Sequence, residues 1–255
     1  MTGTGWDVRR FASVPSTNDW LLARAREGAP AGVVALADHQ SAGRGRLGRR
    51  WEAPPGCCLL VSLLLRPLAP LTALFACTAA VALATSDACL QVAGVQPGLK
   101  WPNDLVIDDE KVAGVLAESD AAAPGGRPGS VAVVVGVGCN LDWHPPGATS
   151  LAAHASPDAA VGRDALLDSM LDHLDRRAAM LDSAGGRRDI VDELRARCVT
   201  LGREVQVETA GAGLISGVAR ELDDHGRLVV LSDAGEVAVA AGDVIHLRPP
   251  VADPR

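Results

Sequence analysis

The chain has 255 residues, 48% of them hydrophobic, enough to bury the core of one large domain or of a medium domain with a small companion. Its net charge of −7 excludes a broad positive coat for nucleic acid, so any basic segment is local and suits a small anion. Six cysteines, none in C-x-x-C or zinc-like spacing and most in apolar runs, read as reduced small hydrophobes.

In chain order, "VRRFASV" reads as a short strand. Ser16 to Asp19 then has capping-box spacing, so a helix starts at Ser16 or Thr17. The start of the chain has no apolar secretion core and no room for a helix-turn-helix before Trp6. A reduced, soluble, cytoplasmic protein without a DNA-binding role is expected. Strands follow at 32–38 and 57–65, with a basic loop between them. A long buried helix runs from Leu71 to about Gln91. The apolar region Cys57 to Ala84 is broken by Arg66, Pro67 and Pro70, and its helical part is read as too short to span a bilayer.

Three short strands in "LKWPND", "LVID" and "KVAGVLAES" come next, with a tight hairpin at Asp108-Asp109-Glu110. Residues 121–129 form a loop and 130–141 a buried strand. Helices are expected at 163–182, where Leu166, Leu167, Met170, Leu171 and Leu174 share a face, and at about 187–198. From Gly202 short alternating strands suggest a small β-barrel, so a boundary falls near residue 200: 6–200 as one domain and 201–250 as the other. Residues 202–255 contain no Phe, Trp or Tyr, which argues against an aromatic groove for proline-rich peptides.

The basic loop is "SAGRGRLGRRW", in which Gly43, Gly45 and Gly48 spell G-x-G-x-x-G. A dinucleotide-binding turn needs a helix directly after the glycines, but Pro54-Pro55-Gly56 forbids one. The acid expected about twenty residues on is also missing, since no Asp or Glu lies between Glu52 and Asp87. A solvated basic hairpin is the plain alternative. Arginines alternating with glycines also suit a loop that wraps an anion with guanidinium forks and backbone N–H groups. Trp51 offers a face on which an aromatic base could stack. Of 24 basic residues only Lys100 and Lys111 are lysine, and both lie in "KWPNDLVIDDEK". A compact ammonium suits a place where a planar guanidinium fits badly.

Five segments together, "STN" (16–18), "QSAGRGRLGRRW" (40–51), "KWPNDL" (100–105), "KVAGVLAE" (111–118) and "GVGCNL" (136–141), resemble the ordered motifs of biotin–protein ligases. The resemblance covers roughly Ser16 to Leu141. It implies an α+β fold: a mixed-sheet catalytic domain like that of class II aminoacyl-tRNA synthetases, then a small SH3-like β-barrel. It also implies a two-step reaction, in which biotin and ATP give biotinyl-5′-AMP and a lysine of a biotin carboxyl carrier domain then takes the biotin. ATP and biotin are the implied substrates, with Mg2+, and a biotin-dependent carboxylase is the implied partner of a monomer or homodimer.

By the same resemblance Arg44 and Arg46 line the carboxyl and phosphate region, and Lys111 reaches the carboxylate and α-phosphate oxygens. Asp104 orients or deprotonates the acceptor amine. Ser16, Thr17, Asn18 and Gln40 meet biotin's ring, Gly43 and Gly45 also bind biotin, and Gly114 and Gly136 allow close backbone approach to it. Arg49, Trp51, Asn103 and Asn140 belong to the nucleotide. No protein metal ligand is assigned, and the role of Lys100 is left open. Alternatives are a lipoate or octanoate ligase of the same superfamily, and a non-enzymatic biotin sensor.

Overall fold

A computed structural model describes residues 5–70, 74–159, 161–209, 213–240 and 242–247. The starts of the expected long helix at 71–73 and the end of the expected second domain at 248–250 lie outside the described residues.

A seven-stranded sheet forms the larger part, in the order β1-β2-β3-β7-β6-β5-β4. Its strands are β1 (Asp7–Phe11), β2 (Val33–Ala37), β3 (Cys58–Leu65), β4 (Gly98–Lys100), β5 (Asp104–Ile107), β6 (Glu110–Asp120) and β7 (Ala132–Asn140). β1 and β2 run parallel and every other pairing is antiparallel, so the sheet is mixed. Helix α1 (Thr17–Arg26) starts where expected: Ser16 is its N-cap, and the Ser16 hydroxyl accepts from the Asp19 N–H at 3.3 Å.

Alternation along the strands divides the sheet into two faces. Leu59, Val61, Leu63 and Leu65 of β3, with Val133, Val135 and Val137 of β7, join the main core. That core is closed by α2 (Leu74–Ala93), α3 (Arg163–Met180) and α4 (Ala184–Arg197). On the opposite face α1 covers one part through Leu21 and Ala25, packed against Ala35, Leu64 and Val134. The rest of that face is the floor of a cavity.

One expectation is corrected by α2. By length and composition its 20 residues are apolar enough to cross a bilayer, because the prolines precede the helix rather than interrupt it. Burial, not shortness, marks it as a core helix: 67% of its most apolar window is inside the protein. All six cysteines are free, five of them buried, and burial pushes the Cys77 thiol up to about 12.

The hairpin joining β5 to β6 turns through Asp108 and Asp109, with φ of 52° and 66°. Left-handed geometry at both central residues is the type I′ turn, which Asp tolerates better than most residues.

Beyond residue 200 a five-stranded antiparallel sheet has the order β11-β10-β9-β8-β12. It comprises β8 (Glu204–Thr209), β9 (Gly213–Leu222), β10 (Leu228–Ser232), β11 (Gly235–Val239) and β12 (Asp243–His246). It is fastened to the large sheet by the Trp101 indole, which donates to the Gly226 carbonyl at 2.8 Å. The Trp101 N–H also donates to Thr200 Oγ1, at 3.1 Å.

Candidate active site

Two rows of residues cross the open face of the large sheet. In the first, Ser62 of β3 pairs with Gly136 of β7, which pairs with Leu116 of β6. In the second, Leu60 pairs with Gly138, which pairs with Gly114, which pairs with Asp104 of β5. Three glycines in neighbouring strands leave the floor low, and side chains from elsewhere occupy the space. An added Cβ at Gly136 would lie 2.3 Å from Asn18 Oδ1, and one at Gly138 would lie 2.5 Å from Trp51 Cε2. The cavity above this floor measures about 310 Å³, within the range of small-molecule sites.

Lys111 reaches the cavity because of a β-bulge. Leu105 pairs with Ala113 but Val106 pairs with Lys111, so Val112 has no partner across the ladder. Regular alternation would put Lys111 on the core face with Ala113. The extra residue turns it to the face of Gly114 and Asp104, the re-aiming for which bulges are known. There Lys111 Nζ lies 2.6 Å from Asp104 Oδ1 and 5.6 Å from the centre of the Trp51 ring.

The first row ends in an uncharged polar cluster beside the start of α1. Ser62 Oγ lies 2.7 Å from Thr17 Oγ1 and 2.6 Å from Asn18 Oδ1. The Thr17 N–H and hydroxyl both donate to Gln40 Oε1, at 2.8 and 3.0 Å. The Asn18 amide donates to Glu118 Oε2 at 2.8 Å and to the Leu116 carbonyl at 3.3 Å, which settles which way the amide faces. Ser62, Thr17 and Asn18 are buried, and burial of so many polar atoms is tolerable only because they satisfy one another.

The basic loop closes as a hairpin, with a 3-10 turn at Arg46–Gly48 and a bridge between Arg44 and Arg50. No nucleotide-type helix follows, as Pro54 and Pro55 require. Gly43 lies at the neck: its carbonyl accepts from the Trp51 N–H at 3.0 Å, and a Cβ there would be 2.4 Å from the Trp51 carbonyl. The loop sends its arginines in different directions. Arg44 pairs with Asp19 and, at 2.9 Å, with Glu118. Arg46 donates to Asn103 Oδ1 at 3.1 Å and to the Gly242 carbonyl at 3.3 Å. Arg49 pairs with Asp243 of the C-terminal sheet.

Burial pulls the Arg46 guanidinium below its ordinary value, with the Asp104 charge opposing. Burial lowers Lys100 in the same way, against Asp104 and Asp109. The Trp51 indole N–H is buried and lacks a hydrogen-bond partner among the described residues, a donor left over in the cavity.

Of the residues singled out in the sequence, Ser16, Thr17, Asn18, Gln40, Arg44, Gly45, Arg46, Arg49, Trp51, Lys100, Asn103, Asp104, Lys111, Gly114 and Gly136 all line this one cavity. Gly43 and Asn140 do not. Asn140 is buried at the end of β7 and donates to the Thr149 carbonyl at 2.9 Å. Four residues joined to the site carried no isolated signal: Ser62, Gly138 and Asp243, which line the cavity, and Glu118, which meets it through Asn18 and Arg44. Gly138 stands inside the quoted "GVGCNL", but its place under Trp51 depends on strand register.

Comparison with known proteins gives the family. Residues 10–140 match the model of the biotin/lipoate A/B protein ligase family, and 200–247 match the biotin protein ligase C-terminal domain. The biotin–[acetyl-CoA-carboxylase] ligase of Mycobacterium tuberculosis is 39% identical, over 96% of this chain and 91% of that protein. The enzyme of the same name from Paracoccus denitrificans is 34% identical, over 92% of this chain and 98% of its own length. Among solved structures, the biotin protein ligase of Aquifex aeolicus in complex with biotin and ATP superposes with a TM-score of 0.77. It is 25% identical and covers 95% of this chain and 99% of its own. With a matching family model over half its length and relatives aligned nearly end to end, the chain belongs to the biotin protein ligase family.

Proposed function

We propose that this ligase joins biotin to ATP, forming biotinyl-5′-AMP, and passes the biotin to a lysine of a biotin carboxyl carrier domain. The observation that carries this reading is the meeting, over a glycine floor, of an uncharged polar cluster with Lys111, Arg44 and Arg46. A ureido ring needs paired donors and acceptors in a tight pocket, and Thr17, Asn18, Gln40 and Ser62 supply them. An activated carboxylate needs positive charge where the phosphate accumulates its own.

In the first step a biotin carboxylate oxygen bonds to the α-phosphorus and the bond to pyrophosphate breaks. Lys111 bridges carboxylate and α-phosphate oxygens, and Arg46 with Arg49 faces the remaining phosphates. Gly45 lets the loop backbone come close. Trp51, with its spare N–H, leaves the floor at Gly138 to cover the adenine, beside Asn103. Asn140 acts through Thr149 and the end of β7 rather than by touching the base. In the second step the acceptor amine bonds to the acyl carbon, AMP leaves, and the amine proton passes to Asp104. Among the described residues no group of three or more His, Cys, Asp or Glu forms a metal cage. Bound through the phosphates of ATP, Mg2+ would neutralise the charge of the leaving pyrophosphate.

The same reading divides the chain near residue 200 into a catalytic domain of the class II synthetase kind and an SH3-like barrel. It also implies a monomer or homodimer working in the cytoplasm. The test is exchange of labelled pyrophosphate into ATP with biotin, lipoate or octanoate supplied in turn. Exchange with biotin alone is expected. Exchange driven by lipoate or octanoate would move the chain to the neighbouring branch, and tight biotin binding without exchange would make it a sensor.

A further inference from the structure

The contacts of Arg44 bear on how this site admits its acid. Its Nη2 atom is held by Asp19 and, at 2.9 Å, by Glu118. Two carboxylates against one guanidinium leave a local charge of −1 and occupy the guanidinium on which an anionic substrate would draw. Both acids come from outside the basic loop, Asp19 from the first turn of α1 and Glu118 from β6. Neither lines the cavity, whereas Arg44 does. Glu118 has a second task, since the same Oε2 atom accepts from the Asn18 amide at 2.8 Å.

We infer that Asp19 and Glu118 are affinity-setting residues that hold Arg44 on carboxylates of the protein itself, so that the substrate's carboxylate binds by replacing them. The inference rests on the functional reading above and concerns only the group that Arg44 grips. Charge-assisted bonds to a carboxylate are worth about the same whether it belongs to the protein or the ligand, so the exchange is nearly balanced. An acid can make the exchange, while a neutral ligand of the same shape cannot. The clasp thus weakens binding of the acid and keeps the empty loop folded back.

Four forms distinguish the parts: the wild type, D19N, E118Q and the double variant. Gln at 118 still offers an acceptor to Asn18, so the E118Q form removes the charge and keeps the support. Binding of biotin and of neutral biotinamide is measured for each by calorimetry. Biotin is expected to bind the double variant about tenfold more tightly than the wild type, with single variants between and biotinamide moving less than twofold. The ligand-free proteins are also treated with trypsin, which needs a released Arg44 side chain to cut after it. Cleavage there is expected to be several-fold faster in the double variant, with thermal midpoints unchanged.

Unchanged or weaker biotin binding in the double variant would overturn the exchange, showing the acids to be supports that orient Arg44. Equal shifts for biotin and biotinamide would overturn it too, since the effect would then run through Asn18. Failure of the wild type to bind biotin at all would sink the functional reading, and the tryptic rates would still decide whether the clasp exists.

Discussion

Lys111 sets a compact ammonium close against a carboxylate and the glycine floor. Its Nζ is 2.6 Å from Asp104, and a methyl group added at Gly114 would come within 2.9 Å of it. A planar fork needs more room and spreads its charge over three nitrogens, whereas a point charge can lie between two oxygens. Replacing Lys111 with Arg keeps the charge and, at a site outside the core, the fold. Adenylate formation in a single turnover is nevertheless expected to fall about a hundredfold, the usual loss when one transition-state contact is removed. A near-normal rate, with an unchanged melting temperature, would refute this account of the lysine. Gly114→Ala should give a milder defect of about tenfold, because the new methyl meets only the far end of a flexible chain that can shift aside.

At the level of elements, the turn that seats the C-terminal sheet depends on one glycine. Gly226 has φ of +74°, and a Cβ there would fall 1.8 Å from the Phe75 ring of α2. Its carbonyl receives the Trp101 indole. Gly226→Ala would combine left-handed strain with displacement of the ring, costing about 2–3 kcal/mol. Thermal unfolding should register a drop of several degrees, and a midpoint within one degree of wild type would count against the seat.

How much could be read beforehand also divides by element. The order of strands and helices, the N-cap at Ser16 and the proline block after the basic loop follow from local chemistry, and local chemistry is legible in a chain. The position of Lys111 is not, because period-two alternation assigns it to the core face and only the bulge at Val112 reverses that. Nor are the partners of the loop arginines legible. Asp19, Glu118 and Asp243 are ordinary acids by their neighbours, and only the packing of α1, β6 and β12 brings them to Arg44 and Arg49.

The whole molecule is tied together beneath the sheet by an ion network among the three core helices. Arg177 of α3 has a side chain only 1% exposed and lies 2.6 Å from Asp87 of α2 and 2.5 Å from Glu193 of α4. Arg197 joins the same two acids. A buried guanidinium is tolerable only while paired, so removing one partner leaves a charge poorly solvated. Burial pushes the Asp87 carboxyl up, but the hydrogen bonds and charges of Arg197 and Arg177 outweigh it and hold the carboxyl below its ordinary value of 3.8. A carboxylate whose folded pKa is lowered lends stability that is complete above its unfolded pKa and fades as pH falls through the folded one. Asp87→Asn should therefore cost about 3 kcal/mol at pH 7. The gap to wild type should stay constant down to about pH 5 and narrow steadily below 3.8, because the unfolded wild-type chain takes up a proton at Asp87 there while the folded carboxyl, held lower, does not, and Asn titrates in neither state. Denaturant titrations of both proteins across that range supply the measurement. A gap that holds its size on acidification would mean that Asp87 supports the helices by shape and hydrogen bonding alone, not by charge.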